Sequence, residues 1–541
     1  MLSRRGLIGS GLALAAGATA LAGCNPDGGG GGGTGGSGEA GSGALPNHIP
    51  FEGVTPDIPA GENGIPAAYL QYPANPVSTG ITPLATSDPV SMLLVGSPPP
   101  VAEDKNSWYK LLTEAIGTQF EFTWGSWGEY TDKYQVTIAS GDVPDMVMMQ
   151  TVAQFPQLLD TVFTDLTDFL GGDAIADYPG LAAFPTPSWE ATQLNGRLWG
   201  IPQPRPPAGR VLSIRNDLAE QAGVGANPTV SNGEEFIALM TELTNAGQKK
   251  WAMGADPQQW LLPMLATMTG APNQFAESDG VFTYWWETPE FKLALEQAVK
   301  IWNDGLLHPQ SATEGSANLE WWSSGATTLY SQAFTGWASY APDYPDWDLG
   351  AVILPKWDGG GPAGIHLSDA AYSSWVGIAK QDSDDKVREL LAVADYLASP
   401  FGTKEFVDIN YGIEGTHHTL EGTDPIPNGE ATKQEQNRSL RYVGDPYLSV
   451  LYVPGQQDVV KDMHAYLTEV MPGGVADAST GLYSETSVTE GSAGRRKMAD
   501  LLLGIIVGRN DLSEFDGELK NYQESVGKKI NEELAEAKAN S

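Results

Sequence analysis

The chain has 541 residues, with 67 Asp and Glu against 30 Lys and Arg, a formal charge of −37 and a single cysteine. That balance excludes a nucleic-acid binder, which needs clustered Lys and Arg to neutralise phosphates; one Cys excludes both a disulfide framework and a cysteine-based zinc site. The 16 Trp and 41% hydrophobic residues exclude a disordered chain, because aromatics at that density are buried or recruited to bind something.

The first residues, Met1-Leu2-Ser3-Arg4-Arg5, are basic, and Gly6 to Ala22 form an apolar run that is short for a bilayer span. Small residues follow, as in an export signal over residues 1–23. Leu21-Ala22-Gly23-Cys24 resembles the lipobox of bacterial lipoproteins, which implies that Cys24 carries the lipid and becomes the mature N-terminus. Ser3-Arg4-Arg5-Gly6-Leu7 also resembles a twin-arginine signal. Residues 28–43 contain eleven Gly, a flexible tether, and from Leu45 to Pro89 the chain is Pro-rich with little periodicity. Residues 24–88 therefore read as a lipid-anchored tether and strap.

From Pro89 onward, short β-rich runs alternate with helical patterns, which implies α/β layering. Residues 90–95 read as a strand, 104–116 as a helix, 120–124 as a strand, 130–139 as a helix and 146–149 as a third strand. Gly141 and Pro144 supply the helix stop. Thr288-Pro289-Glu290 opens a helix with a cap residue and Pro in the first turn, its apolar face carrying Phe291, Leu295, Val299 and Trp302. A last helix from Asp511 carries one stripe of Leu512, Phe515, Leu519, Tyr522, Val526, Ile530 and Leu534.

Five segments carry a family resemblance. They are Ala139-Ser-Gly-Asp-Val-Pro-Asp145-Met-Val; Asn195-Gly-Arg-Leu-Trp199-Gly-Ile-Pro202; Ile214-Arg215-Asn-Asp217 with Asn227-Pro-Thr229 and Glu234-Glu-Phe236; Asn303-Asp-Gly305-Leu-Leu-His308-Pro309; and Tyr411-Gly-Ile-Glu-Gly415. In this order, over roughly residues 90–540, they resemble the family 1 extracellular solute-binding proteins, the lipoprotein receptors of ABC importers for sugars. The resemblance implies an α/β, two-lobed, periplasmic-binding-protein-like (type II) fold with the ligand cleft between lobes. Lobe 1 is expected over residues 89–200 plus 365–415, and lobe 2 over 201–364 plus 416–541. The implied function is capture of a carbohydrate, an oligosaccharide, and delivery to the transmembrane permease subunits of an ABC transporter. The receptor is expected to be monomeric and anchored to the outer face of the cell membrane.

A sugar presents an apolar C–H face and a rim of hydroxyls, so its site needs aromatic platforms ringed by amides, carboxylates and hydroxyls. The candidate platforms are Trp124 and Trp127 after the second strand, Trp199 in the crossing segment, Trp337 after the strand at 325–334, and Trp375 past the second crossing. Relatives place a sugar-stacking aromatic at or near Trp337. Asp145 and Glu414 are candidate polar contacts, although a turn or cap role is the simpler account of Asp145. Trp189, Trp251, Trp260 and Trp302 read as packing residues, and the pairs Trp285-Trp286 and Trp321-Trp322 as half-buried. An acidic sugar requires a local Arg such as Arg197, Arg205 or Arg210 to counter the protein's own field.

No cofactor and no metal are expected. Some relatives that bind acidic oligosaccharides carry a calcium loop where this chain has Asn245-Ala-Gly-Gln-Lys-Lys-Trp251, without carboxylates. Adjacent His417 and His418 lack a third ligand. No catalytic residues are assigned, since hydrolase, P-loop and dinucleotide motifs are absent. The competing reading is a secreted, membrane-tethered glycoside hydrolase or lyase, because paired catalytic carboxylates have no fixed spacing.

Overall fold

The computed structural model describes residues 45–79, 88–344, 346–368 and 374–540. The export signal, Cys24 and the glycine tether lie outside the described residues. No helix among the described residues is long and apolar enough to cross a membrane.

Two separate sheets organise the chain. The first has five strands in the order Phe120–Gly125, Val90–Val95, Met146–Met148, Trp375–Ile378, Ile201–Pro202. The first three run parallel, and Trp375–Ile378 pairs antiparallel with both Met146–Met148 and Ile201–Pro202. Val90–Val95 is apolar along almost its whole length because helices cover both faces of a parallel sheet. The helix Ser107–Ile116 packs Trp108, Tyr109, Leu112 and Ile116 inward. It opens where the Asn106 side chain accepts from the Tyr109 backbone N–H, and it stops at Gly117, whose φ of 85° suits a residue without Cβ. Gly141 closes the helix Tyr130–Ser140 in the same way.

The second sheet has the order Leu349–Val352, Arg210–Arg215, Thr327–Ala333, Trp251–Met253. Along Arg210–Arg215 the side chains alternate between two cores. Leu212 and Ile214 join a large core with the helix Pro289–Asn303 and the C-terminal helices, while Val211 joins a smaller one with Phe334, Trp337 and Tyr466. Thr288 caps the helix Pro289–Asn303 by accepting from the Phe291 N–H at 3.2 Å. Its buried side is centred on Phe291, Ala294, Leu295, Ala298 and Ile301, so Val299 and Trp302 lie at the rim instead of in the middle. The expected single C-terminal helix is two, Glu514–Tyr522 and Lys528–Ala539, joined through the π turn Gln523–Gly527. Tyr522, Val526, Ile530 and Leu534 recur every fourth residue, which rotates an α-helical stripe by about 40° per step. A turn of wider winding corrects that drift and keeps all four buried.

The two sheets, each with its own core, make the molecule two-lobed. Contributions to the first core come from far along the chain: Leu440 and Val443 pack there, although the division drawn from sequence gave 416–541 wholly to the second lobe. Apolar spacing marks a face as buried without saying which core receives it.

Residues 45–79 form a strap laid over the lobes. Ile49 N–H donates to the Ala182 carbonyl, Ala68 bridges to Leu451, and Tyr72 donates its N–H to Asp424 and its hydroxyl to the Thr403 carbonyl. Ile65 and Ala68 are buried in the smaller second-lobe core.

Asp395, on the helix Asp384–Leu397, is buried and accepts from the Gly180 and Leu181 N–H groups at 2.7 and 3.0 Å. Burial pushes its carboxyl up to about 7, against those two hydrogen bonds, and pushes Asp408 and Asp445 up to about 6. In each case the native state keeps a proton that the unfolded chain releases near pH 4. The stability so contributed is complete below that pH and is lost as the pH rises through 6 to 7. The thermal midpoint is therefore expected to fall by several degrees between pH 5 and pH 8. Asp395→Asn retains an acceptor for both N–H groups without charge and should remove part of that fall; an unchanged pH profile in this variant would acquit the carboxyl.

Candidate ligand cleft

The parallel strands of the first sheet end together at Val95, Gly125 and Met148, and the antiparallel strand begins on the same edge at Trp375. In the second sheet, the register places Arg210 opposite Ala333, Val352 opposite Leu212, and Met253 opposite Leu329. Arg210 thus stands on the edge where the neighbouring strands end. The chain enters that strand directly from the first lobe through residues 203–209, which brings the two edges towards each other. Crevices beyond the carboxyl ends of strands are where open α/β sheets bind ligands, because side chains converge there free of sheet packing.

Two adjoining cavities, about 370 and 580 Å³, occupy this space and share Asn273, Gln274, Leu367 and Ser368. The smaller has first-lobe walls of Thr151, Phe155 and Trp375, with Tyr483 beside them. The larger runs along the second sheet past Arg210, Gln258, Gln259, Trp285, Ser331 and His366. Volumes of this order hold small ligands. A larger hollow, about 1000 Å³, continues from the smaller cavity, with which it shares Gln193, Leu367, Ser368, Asp477 and Thr480, and runs under the strap past Arg205 and Pro-rich loops such as Pro204, Pro206 and Pro207.

The cleft's crossing segments are tied firmly. The Asn273 amide donates to the carbonyls of Leu367 at 2.7 Å and Val475 at 3.0 Å, and the backbone of Val475 bonds with that of Ile365 and Leu367. Across the cleft mouth, the Tyr483 hydroxyl donates to the Val152 carbonyl at 3.2 Å, and Glu485 accepts the Gln154 N–H at 2.9 Å. Phe155 stands between Trp375 and Tyr483, with ring centroids 6.2 and 6.4 Å away.

Of the five tryptophans expected at the ligand, Trp375 lines this cleft. It is half-buried, and its ring lies so close to Gly200 that a Cβ there would come within 2.2 Å of a ring carbon. Trp127, 65% exposed, stands on the same edge of the first sheet, edge-on to Tyr442 at 5.8 Å, but in a separate hollow with Gly96 and Ser97. Trp124 stacks on Phe122 at 4.9 Å, away from the cleft. Trp199 is 4% exposed and donates its indole N–H to the Leu194 carbonyl, a packing role. Trp337 departs furthest from expectation. At 2% exposure it is sunk between Phe334 and Tyr466, because the helix Phe334–Asp343 turns that side towards the helix Gln457–Val470.

The polar candidates also serve structure. Asp145 accepts from the N–H and hydroxyl of Ser91 at 2.8 and 2.7 Å, and Ser91 Oγ accepts from the Asp145 N–H, which clamps two strands at the edge remote from the cleft. Glu414 is exposed in the turn before the hairpin His418–Glu421 and Asp424–Pro427. Both ring nitrogens of His417 are occupied: Nδ1 accepts from the Ile413 N–H and Nε2 donates to Glu435.

Sequence reasoning missed Phe155, Tyr483, Asn273 and Gln274 as cleft residues. The available signal was position: Phe155 shortly follows a strand end, while Asn273-Gln274 and Tyr483 sit in loops flanked by Gly and Pro.

Two α/β lobes joined by crossing segments over a cleft with aromatic and amide walls define a periplasmic-binding-protein-like fold. A model of the bacterial extracellular solute-binding protein family matches residues 99–404, more than half of the chain, and the chain belongs to that family. Among curated proteins it is similar to the polygalacturonan/rhamnogalacturonan-binding protein YtcQ of Bacillus subtilis (strain 168), 21% identical over 454 residues and covering 80% of this chain and 88% of the relative. The lipoprotein LipO of the same organism is 21% identical over 468 residues, covering 81% and 89%. Among solved structures, an extracellular solute-binding protein from Bifidobacterium longum subsp. infantis superposes with a TM-score of 0.63 at 15% identity, over 85% of this chain and 99% of that one. The family and this fold neighbour are binding proteins with an extracytoplasmic place of work.

Proposed function

We propose that this protein is a lipid-anchored receptor that captures an oligosaccharide between its lobes and presents it to the permease subunits of an ABC importer. The observation that carries the reading is the cleft's composition. Trp375, Phe155, Tyr483 and Trp285 offer flat apolar faces, and Asn273, Gln274, Gln258, Gln259 and Ser331 surround them with amides and a hydroxyl. That is the complement of a sugar ring and its hydroxyl rim. Binding of polygalacturonan and rhamnogalacturonan by YtcQ supports a carbohydrate ligand, and the lipoprotein relative supports attachment through Cys24. The receptor works as a monomer on the outer face of the membrane, with the glycine tether giving reach and the net charge favouring solubility.

The competing hydrolase or lyase reading is separated by the fate of the sugar: a receptor returns it intact, whereas an enzyme yields shorter products on chromatography. The receptor reading is tested by thermal shift against defined acidic and neutral oligosaccharides. A cognate sugar at about 100 times Kd should add roughly 2.7 kcal/mol to stability. If no carbohydrate moves the midpoint while a peptide or an ion does, the ligand class is wrong.

A further inference from the structure

The wall of the larger cleft cavity has an unusual charge distribution. In a chain with 67 acidic side chains, none of the described ones lines this cavity, and among the described residues its one permanently charged side chain is Arg210. Arg210 begins the strand Arg210–Arg215, on the edge facing the first lobe. Its guanidinium lies over the Trp260 ring at 4.3 Å, and one Nη donates to the Gln259 carbonyl at 2.8 Å. Those two contacts fix the plane of the guanidinium while leaving its other N–H groups uncommitted. No carboxylate of the described residues pairs with it. Asp256, which precedes Gln258 and Gln259 in the chain, accepts their N–H groups at 2.9 and 2.8 Å.

Arg210 is exposed at the cleft and carries no ion pair among the described residues, so its charge is open to a ligand, while the protein crowded around it lowers its pKa by desolvation. His366 lines the same cavity and donates Nε2–H to the Ala271 carbonyl at 2.9 Å; its pKa is lowered first by burial, against that hydrogen bond, and further by the charge of Arg210. Arg210 thus gives this wall a positive charge in a strongly negative molecule, while Asp477 lines the adjoining smaller cavity. A planar guanidinium fixed by stacking presents parallel N–H donors that match a carboxylate's two oxygens.

Resting on the receptor reading above, we infer that the ligand is an anionic oligosaccharide, a uronic acid oligomer, and that Arg210, braced by Trp260 and Gln259, receives one of its carboxylates. Gln274 and Gln258 then take hydroxyls of the same residue or its neighbour, and Asn273, whose N–H groups are spent on Leu367 and Val475, offers only its Oδ1. Arg210 is in this sense the determinant that separates acidic from neutral sugars, whose pyranose faces the aromatic walls serve equally.

The test compares uronic acid oligomers, of galacturonic acid and of alginate, with their carboxyl-reduced neutral counterparts, by calorimetry on the whole mature chain. An acidic oligomer is expected to bind at least tenfold more tightly than its reduced form, and to weaken as salt rises. Arg210→Gln should abolish that preference, and Arg210→Lys should restore part of it. Neutral and acidic forms bound equally, or an equal loss for both in Arg210→Gln, would overturn the assignment while leaving the receptor reading intact. Absence of binding by acidic and neutral sugars alike removes both. The comparison of ligands on the unmodified protein stands even where a variant folds poorly.

Discussion

Replacing Trp375 with Ala is expected to weaken ligand binding by about 2 kcal/mol, roughly thirtyfold, because a desolvated aromatic anchor at the centre of a site carries a disproportionate share of affinity. The ring is held on one flank by Phe155 at 6.2 Å and lies against the backbone at Gly200, where no Cβ intervenes. It is therefore rigid before ligand arrives, and little ordering entropy is lost on binding. Since Trp375 is only half-buried, its truncation opens the cleft wall without hollowing a core, and the unliganded midpoint should move by no more than a few degrees. Trp375→Phe, which keeps a smaller apolar face, should retain part of the affinity. Calorimetry with the sugar identified by thermal shift measures the change, and an unaltered dissociation constant in Trp375→Ala would remove this ring from the site.

How far the sequence could be read depended on whether a property belongs to one element or to a meeting of two. The strand at Val90–Val95 and the Thr288 cap are legible because their signals, a continuous apolar run or a side chain three residues before its partner N–H, are local, whereas the helix expected from residue 104 begins at Ser107, where Asn106 caps it. The family is legible from the order of five short motifs. The site is less so. Trp337 and Trp375 both adjoin strands, yet one faces Phe334 and Tyr466 and the other faces Gly200 and Phe155. Nothing in either residue's own neighbourhood distinguishes these outcomes, because Tyr466 for the one, and Gly200 and Phe155 for the other, lie over a hundred positions away. Arg210 was named as a possible counter-charge, but Trp260, which orients it, reads as plain packing from its spacing. Asp145 shows the reverse: its place in a family motif is fully explained by the clamp with Ser91.

The same contrast makes Trp337 the sharper test of stability. Its indole is 2% exposed and packs edge-on against Phe334 at 6.4 Å and Tyr466 at 6.1 Å, in the core that also holds Val211 and Ile65 of the strap. Trp337→Ala removes the largest side chain of that core, and partial collapse cannot refill the space. The expected cost is about 3–5 kcal/mol, read as an early transition in urea. Its indole N–H is buried with no hydrogen-bond partner among the described residues, so Trp337→Phe forfeits no such bond and should lose much less. Sugar affinity of the folded Trp337→Phe protein should equal that of the parent. A large affinity loss at an unchanged urea midpoint would instead put this tryptophan on the ligand, where the family resemblance first placed it.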